Sequence, residues 1–516
     1  MGMESTVESR SSSNPENPSA EQIQEMMEKS RHAQASWAEL SSQKRAKKLT
    51  NLKEVLIHHC DSVVDLISKE TGKPKLEALL LEVVPAIHSA AFYAQKSPQA
   101  LKPTKVSFMN PIFKLKKSYV RHEPLGVISV ISPWNYPFFL PWVESIMALV
   151  SGNTVIHKPS ELSFAIANQI QALFDEAGFP KNCFQTLLGD GKAGAALVSA
   201  HPDKIFFTGS VKTGQSVLKK AAEQFTPVNL ELGGKDPMII LGDADLDLAT
   251  SAAAWGICTH SGQTCTSTER LIVQESIAPE FEKKLIEKMK TLRVNSKDLD
   301  KTDLGRITSD AQKKVYESQL KEAIDQKSEI LIGGKLIHEN QSHEPTLIKP
   351  SSKNLSILKE ETFGPMATLQ TFRTLEEAVD LANCTEFGLS ASIITENLSL
   401  GEELAAQLQV GSVMINDVTV APGLVEAPFG GAKKSGMGIK HSTEGLKSFT
   451  KMKAIHRPRH ESLSLKALWW FPYSSLQWAA FRSMVDLYRS NWILKVKALP
   501  VFLWNLVRLI KKDQRL

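Results

Sequence analysis

Cys265, Glu231 and Asn135 have the residue types and surroundings suited to chemistry on a carbonyl carbon. Cys265 stands in Gly262-Gln263-Thr264-Cys265, among small polar residues. A cysteine kept for packing normally sits among apolar neighbours. Glu231 lies thirty-four positions upstream, in Glu231-Leu232-Gly233-Gly234-Lys235. Glycines beside a carboxylate let backbone or substrate approach it closely. Asn135 stands between Trp134 and Tyr136, just beyond an apolar run. Such a set supports acyl chemistry through a thioester. A thiolate adds to the carbonyl carbon, an amide donates to the oxyanion that forms, and a carboxylate activates water against the thioester. Singly, each residue has a plainer reading. Asn135 between Pro133 and Pro137 suits a turn, and Glu231 suits an exposed one.

The elements around these residues alternate between strand and helix. Ser19 followed by Gln22 reads as a capping box that opens a helix. Helical patterning continues to about residue 100, with a turn at Thr71-Gly72-Lys73-Pro74. Residues 106–112 and 113–122 read as two strands around Asn110-Pro111. Strands are then expected over 127–131, 154–157 and 204–207, with helices over 138–151 and 163–178. A second alternating block runs from 237 to about 436, and 447–457 reads as a closing strand. This alternation predicts an α/β protein with mostly parallel sheets covered on both faces.

Five motifs in register carry a family resemblance. They are Trp134-Asn135-Tyr136-Pro137, Glu231-Leu232-Gly233-Gly234-Lys235, Gly262-Gln263-Thr264-Cys265, Glu361-Thr362-Phe363-Gly364-Pro365 and Pro428-Phe429-Gly430-Gly431. Over about residues 20–457 the chain resembles the aldehyde dehydrogenase superfamily. The resemblance implies a Rossmann-like cofactor domain, a second α/β catalytic domain and a small oligomerisation β-element. The expected boundaries are 1–20 disordered, 21–231 cofactor domain with an excursion at about 106–122, 232–436 catalytic domain, 437–461 closing segment and 462–516 amphipathic tail. Cys265 is then the nucleophile and Glu231 the base. Asn135, with the backbone N–H of Cys265, forms the oxyanion site. Cys258 reads as helix core, and Cys60, Cys183 and Cys384 as structural.

The resemblance also places a nicotinamide dinucleotide, NAD with NADP as the alternative. Phe207-Thr208-Gly209-Ser210 and Gly214 follow a strand and open a helix, where a phosphate can bind. Lys158, Ser160 and Glu161 match the part that holds the adenosine ribose, and a carboxylate there repels a 2′-phosphate. Trp134, Glu361 and Phe363 complete the cofactor side. Phe139, Leu140, Val143 and Phe429 should line the aldehyde channel. Loop 417–427 has no Lys or Arg, so an apolar or long-chain aldehyde fits better than one with a carboxylate tail. There is one departure. Many members carry Arg-Glu after the Gly-Met-Gly run, whereas Ile439-Lys440-His441 stands here. A proton relay proposed through that Glu is in doubt. The alternatives are a coenzyme A-acylating or semialdehyde dehydrogenase of the same fold, against which Glu231 and the loop without Lys or Arg speak, or a catalytically silent membrane-tethered scaffold.

Composition narrows the partners. Hydrophobic content of 42% and charged content of 23% are ordinary for a globular chain. Five cysteines without a Cys-x-x-Cys pair argue against a disulfide framework and a metal site. A reduced, cytoplasmic protein is expected, peripheral on the cytoplasmic face of a membrane if the tail binds there. Residues 462–516 hold nine Lys or Arg against two Asp or Glu, and the rest of the chain holds 52 against 54. The near-neutral body gives no electrostatic case for nucleic acid. The tail carries Trp469, Trp470, Trp478, Trp492 and Trp504 among basic residues. That suits an anionic membrane surface, with packing over the body or a partner subunit as the other reading. A homodimer or homotetramer is expected from the resemblance. Met1-Gly2-Met3-Glu4-Ser5-Thr6 fits the loose myristoylation pattern, a match too short to outweigh chance.

Overall fold

A computed structural model of the chain describes residues 16–110, 113, 116–295, 298–337, 342–459 and 470–513. Gly2, Trp469 and most of the expected disordered N-terminus lie outside them. The chain forms two compact units, 1–102 with 122–451 and 103–121 with 452–516. This division follows a different line from the expected boundary at 231. Both large sheets, and every residue expected to do chemistry, fall in the first unit.

The first sheet runs Gly436–Met437, Val228–Glu231, Lys204–Thr208, Val127–Ile131, Thr154–Lys158, Phe184–Thr186. All neighbours are parallel except the Gly436–Met437 edge, which pairs antiparallel with Glu231 and Leu230. Val127–Ile131 is buried at every position, as a parallel strand covered on both faces must be. The second sheet runs Glu329–Ile332, Thr346–Lys349, Met366–Phe372, Thr268–Gln274, Asp236–Ile240, Ser390–Ile394, Ser412–Ile415. Only its first pair is antiparallel.

Helices form where the sequence signals them. Ser19 and Gln22 make the reciprocal capping box of Ala20–Glu39. Gly72, at φ 77°, ends Cys60–Thr71 in the left-handed conformation. Phe139–Val150 is buried at all twelve positions, and Glu144 is its sole charge. The run Lys75–Ala100 is apolar and long enough to cross a bilayer, but half of it is buried inside the protein.

The second unit differs from expectation at its start. In place of the strand expected over 106–112 there is a two-residue strand, Thr104–Lys105, antiparallel to Lys116–Pro124, which overlaps the strand expected over 113–122. Residues 104–107 are exposed throughout, so alternation there has no face to bury. Lys116–Pro124 also pairs with Thr450–Pro458 in a three-stranded sheet. Residues 111, 112, 114 and 115 lie outside the described residues. The tail holds two helices, Ser475–Val485 and Trp492–Asp513, which bury Ala480 and Leu509 between them.

Two fully buried lysines brace the first unit. Lys73 Nζ donates to Glu82 Oε1 at 2.6 Å and to the Asn135 carbonyl at 2.9 Å. Glu82 Oε2 in turn accepts from the N–H groups of Phe138 and Phe139, at 2.8 and 3.2 Å. Lys235 pairs with Glu269, whose carboxylate accepts from the N–H groups of Thr362 and Phe363. Breaking a buried pair by removing one partner strands a charge, at a cost of about 3–5 kcal/mol. Glu82→Gln should therefore lower the thermal midpoint sharply. Lys73→Met combined with Glu82→Leu should cost less than the two single changes added together. Additive losses in a thermal-shift assay would mean that the two side chains act independently.

Candidate active site

Glu231 ends the strand Val228–Glu231, and Cys265 sits in the turn between the short helix Thr259–Gly262 and the strand Thr268–Gln274. Both face one cavity of about 410 Å³. Gly234 is what allows the approach. A Cβ there would collide with the Cys265 carbonyl oxygen, so only glycine lets the loop after Glu231 lie against the cysteine backbone. His260 and Ser261, before the cysteine, take positive φ of 50° and 53°. Such strain persists only where the surroundings over-determine it. Here the buried Glu77 carboxylate accepts from His260 N at 3.1 and 3.0 Å. Gln263 is fixed through Thr308 N and the carbonyls of His260 and Arg306.

Asn135 is buried, and its Nδ2 donates to the Gln263 carbonyl at 3.0 Å. An amide NH₂ carries two hydrogens, so one is left for an oxyanion. Tyr136 ties the same loop to the cysteine turn through a 2.7 Å bond to Thr264 Oγ1. The loop is held between the Lys73–Glu82 pair and residues 263–264.

Desolvation dominates the electrostatics. Neither carboxylate oxygen of Glu231 has a hydrogen-bond partner in the protein. Burial pushes its carboxyl up to about 7, with Lys440 opposing. A base that titrates near neutrality suits general base catalysis. Burial likewise pushes the Cys265 thiol up to about 12. Lys440 opposes that rise, and Asp236, Glu361 and Glu231 add to it. The cysteine rests as a thiol, so its attack requires transfer of the proton to a base.

The structure separates the expected residues into two groups. Phe139, Leu140 and Phe429 line the cavity with Cys265 and Glu231. Val143 does not, contrary to expectation. It lies one helical turn beyond Phe139, is fully covered and belongs to the hydrophobic core. Leu80, Val84, Trp255, Val420 and Leu424 line the cavity instead, and sequence reading missed them. Val420 and Leu424 belong to the loop noted for lacking Lys and Arg. Lys440 was noted only as a departure, yet it also faces the cavity. Glu144 carried a readable signal, as the lone carboxylate in an otherwise apolar helix. Of the other cysteines, Cys183 and Cys258 are buried and Cys60 is half-buried. Cys384 is exposed at the end of Leu375–Asn383 rather than packed inside, with Sγ donating to the Leu381 carbonyl at 3.1 Å.

The second group lies at strand ends. Ser210 caps the helix Val211–Ala222 directly after Gly209, at the end of Lys204–Thr208. Gly214 packs that helix against Leu232, where a Cβ would come within 2.6 Å. Lys158 ends the strand Thr154–Lys158, two places along the same sheet. Its ammonium is nearly buried, and its charged neighbour is Glu161 at 4.0 Å, itself exposed. Ser160, between them, is buried. A nearly buried ammonium and a serine-capped helix N-terminus at strand ends of one sheet fit a phosphorylated or ribose-bearing ligand. Glu361 accepts from Gly234 N at 3.0 Å. Burial and Glu269 push its carboxyl up to about 8. Phe363, at φ 51°, stands edge-on to Trp134 with ring centroids 5.5 Å apart.

Comparison with known proteins agrees with this geometry. Residues 7–455 match the profile of the Aldehyde dehydrogenase family. The chain is 38% identical over 464 residues to a 4,4'-diapolycopene aldehyde oxidase of Methylomonas sp, covering 90% of this chain and 86% of that protein. It is 32% identical to a putative succinate-semialdehyde dehydrogenase [NADP(+)] of Mycolicibacterium smegmatis, covering 85% of each. Its fold matches betaine aldehyde dehydrogenase from Staphylococcus aureus in complex with NAD+, at a TM-score of 0.82 and 30% identity, over 88% of this chain and 90% of that one. A thiol and an unpartnered carboxylate on one cavity, with the Asn135 amide bonded to the cysteine turn, thus occur in a chain that belongs to the aldehyde dehydrogenase family.

Proposed function

We propose that the chain oxidises an apolar aldehyde to its carboxylic acid through a thioester on Cys265. The observation that carries this reading is Glu231, buried with both oxygens unpartnered, on the cavity that holds Cys265. In the first half-reaction the Cys265 sulfur bonds to the aldehyde carbon as its proton passes to solvent, which leaves Glu231 free as the base for the second. Asn135 donates to the oxyanion, an interaction typically worth about 2.7–4 kcal/mol of barrier. Lys158, Ser160, Glu161, Gly209, Ser210, Gly214, Trp134, Glu361 and Phe363 would hold the cofactor. The chemistry that an oxidised nicotinamide dinucleotide supplies when bound is that of a two-electron acceptor, which turns the adduct into a thioester. In the second half-reaction a water oxygen bonds to the thioester carbon as Glu231 accepts its proton. The C–S bond breaks, the acid leaves, and the proton returns to the Cys265 sulfur. NAD is favoured over NADP because the Glu161 carboxylate stands beside Lys158.

The substrate class rests on the cavity. Apart from the catalytic groups, its described lining is mainly Leu, Val, Phe, Pro and Trp, with no Arg. His88 lies there too, but it pairs with Glu426 at 2.6 Å. The name of the Methylomonas relative supports an apolar aldehyde as well. A semialdehyde would bring a carboxylate to a lining without an Arg clamp.

The tail supports a second element of this reading, attachment to an anionic membrane surface. Trp470, Trp478, Trp492 and Trp504 are exposed on or beside its helices, among basic residues. Each basic group near such a surface contributes about 1 kcal/mol. A homodimer or homotetramer belongs to the same reading through the family resemblance.

Glu231→Gln should keep a burst of reduced cofactor and slow the later steady rate, with Cys265→Ser losing both phases in rapid mixing. In the parent enzyme the steady rate should rise with pH through about 7, as the Glu231 carboxylate forms. This limb should flatten in Glu231→Gln. A normal steady rate in that variant would remove Glu231 as the base.

For straight-chain aldehydes, kcat/KM should rise with length by up to about fourfold per methylene, the worth of burying one CH₂. A flat profile, or a preference for succinate semialdehyde, would overturn the apolar reading.

Deleting the residues after Arg459 should release the protein from anionic vesicles in flotation while short-aldehyde activity persists. If the full-length chain stays unbound and truncation instead breaks the oligomer, the tail is a packing element.

A further inference from the structure

Lys440 and Glu144 take no part in the chemistry described so far, yet both are buried beside it. The Lys440 side chain is 2% exposed and that of Glu144 fully covered, with Nζ 4.0 Å from Oε1. The position of Lys440 is fixed on several sides. Its backbone pairs with Phe429 in both directions, N–H to carbonyl, at 2.7 and 2.9 Å. Its ammonium lies 5.2 Å from the centre of the Phe429 ring. Asn229, two residues before Glu231, donates from Nδ2 to the Ile439 carbonyl at 2.9 Å. Gly436 pairs with Glu231 itself across the edge of the first sheet. The Lys440 segment is therefore laced to the strand that carries the base, and Lys440 faces the same cavity as Glu231 and Cys265.

Charge then decides what such a lysine does. Two carboxylates and one ammonium share a desolvated region. Glu144 Oε1 accepts from Thr208 at 3.3 Å, and its Oε2 has no protein partner. The other titratable groups that face this region are the Cys265 thiol, with Asp236 and Glu361 behind it, and His441. Burial and Lys440 push the His441 imidazole down to about 3, so it is neutral and supplies no cation. At 4.0 Å from Glu144 the ammonium makes no direct hydrogen bond, a spacing that leaves room for a bridging water. Without a cation, two buried carboxylates that feel each other's charge would both tend to hold their protons.

We propose that Lys440 is a positioning residue for thioester hydrolysis: its buried ammonium, anchored by Glu144, keeps Glu231 in its carboxylate form at neutral pH and so sets the lower limit of the pH range in which the acid is released. This inference rests on Glu231 as the base. It replaces a relay through a glutamate at this part of the chain, which this sequence lacks, with a fixed positive charge.

The test follows steady turnover and burst amplitude against pH in the full-length enzyme, with hexanal and NAD as probes. Lys440→Met should move the midpoint of the acid limb to higher pH by about one unit, with the burst retained. Lys440→Arg should restore most of the parent midpoint. Glu144→Gln should leave the midpoint unmoved or shift it to lower pH, because the ammonium then has Glu231 as its one carboxylate partner. An unmoved midpoint in Lys440→Met, or an alkaline shift in Glu144→Gln, overturns the proposal. Should Lys440→Met fail to fold, Lys440→Gln carries the same expectation. Glu231→Gln is the separating control. If it keeps the pH-dependent limb, the reading of Glu231 as base fails. If it loses the limb while Lys440→Met leaves the midpoint in place, the base stands and the role of Lys440 fails.

Discussion

Three buried carboxylates hold the backbone beside Asn135, Cys265 and Glu361, and the order of these three loops depends on them. Glu82 accepts the N–H groups of Phe138 and Phe139 just after Asn135. Glu77 accepts His260 N before Cys265. Glu269 accepts the N–H groups of Thr362 and Phe363. Loops carry unsatisfied backbone donors, and burying them without partners would cost more than the loop could recover. A glutamate reaches from a neighbouring element, bonds two donors at once and brings a charge that must itself be balanced. Lys73 and Lys235 supply that balance for Glu82 and Glu269. The loops can then be irregular in backbone and still fixed in position.

Desolvation runs through the same region with two effects. It makes the Lys–Glu braces strong, because opposite charges interact more in a poorly polar interior. It also lifts the Glu231 carboxyl towards neutrality and leaves the Cys265 sulfur protonated at rest. Where a carboxylate is paired it orders backbone. Where it is left bare, as Glu231 is, its oxygens stay free to take up a proton. The cavity wall supplies the dryness, being largely Leu, Val, Phe, Pro and Trp.

Much of this was readable from residue order, and what was not has physical causes. The alternation of strands and helices marks both sheets, because period and capping are local properties. Ser19 with Gln22 and Gly72 fell where their chemistry placed them. Cys265 and Glu231 stood out through spacing, and the two do share a cavity. Val143 was misplaced because a helix buried on every side offers no periodicity to separate wall from core. The partnership of Lys440 with Glu144 spans most of the chain, and no local pattern joins residues that far apart. A lone glutamate in an apolar helix announces that it needs a partner without saying which. The strand expected over 106–112 is not formed by the described residues 106–110, because the chain there is largely exposed and has no face to bury.

The edge strand Gly436–Met437 comes from late in the chain but completes the sheet that holds Glu231. A ribosome adds roughly 5–20 residues per second and domains gather as they emerge. The strands on the cofactor side leave the ribosome early, and the cysteine follows at about mid-synthesis. Phe429 and Lys440 arrive last. A nascent or prematurely terminated chain therefore carries the thiol without the roof and the cation beside it. The wall of the cavity around Cys265 is complete once the chain has passed Lys440, before the tail has been made.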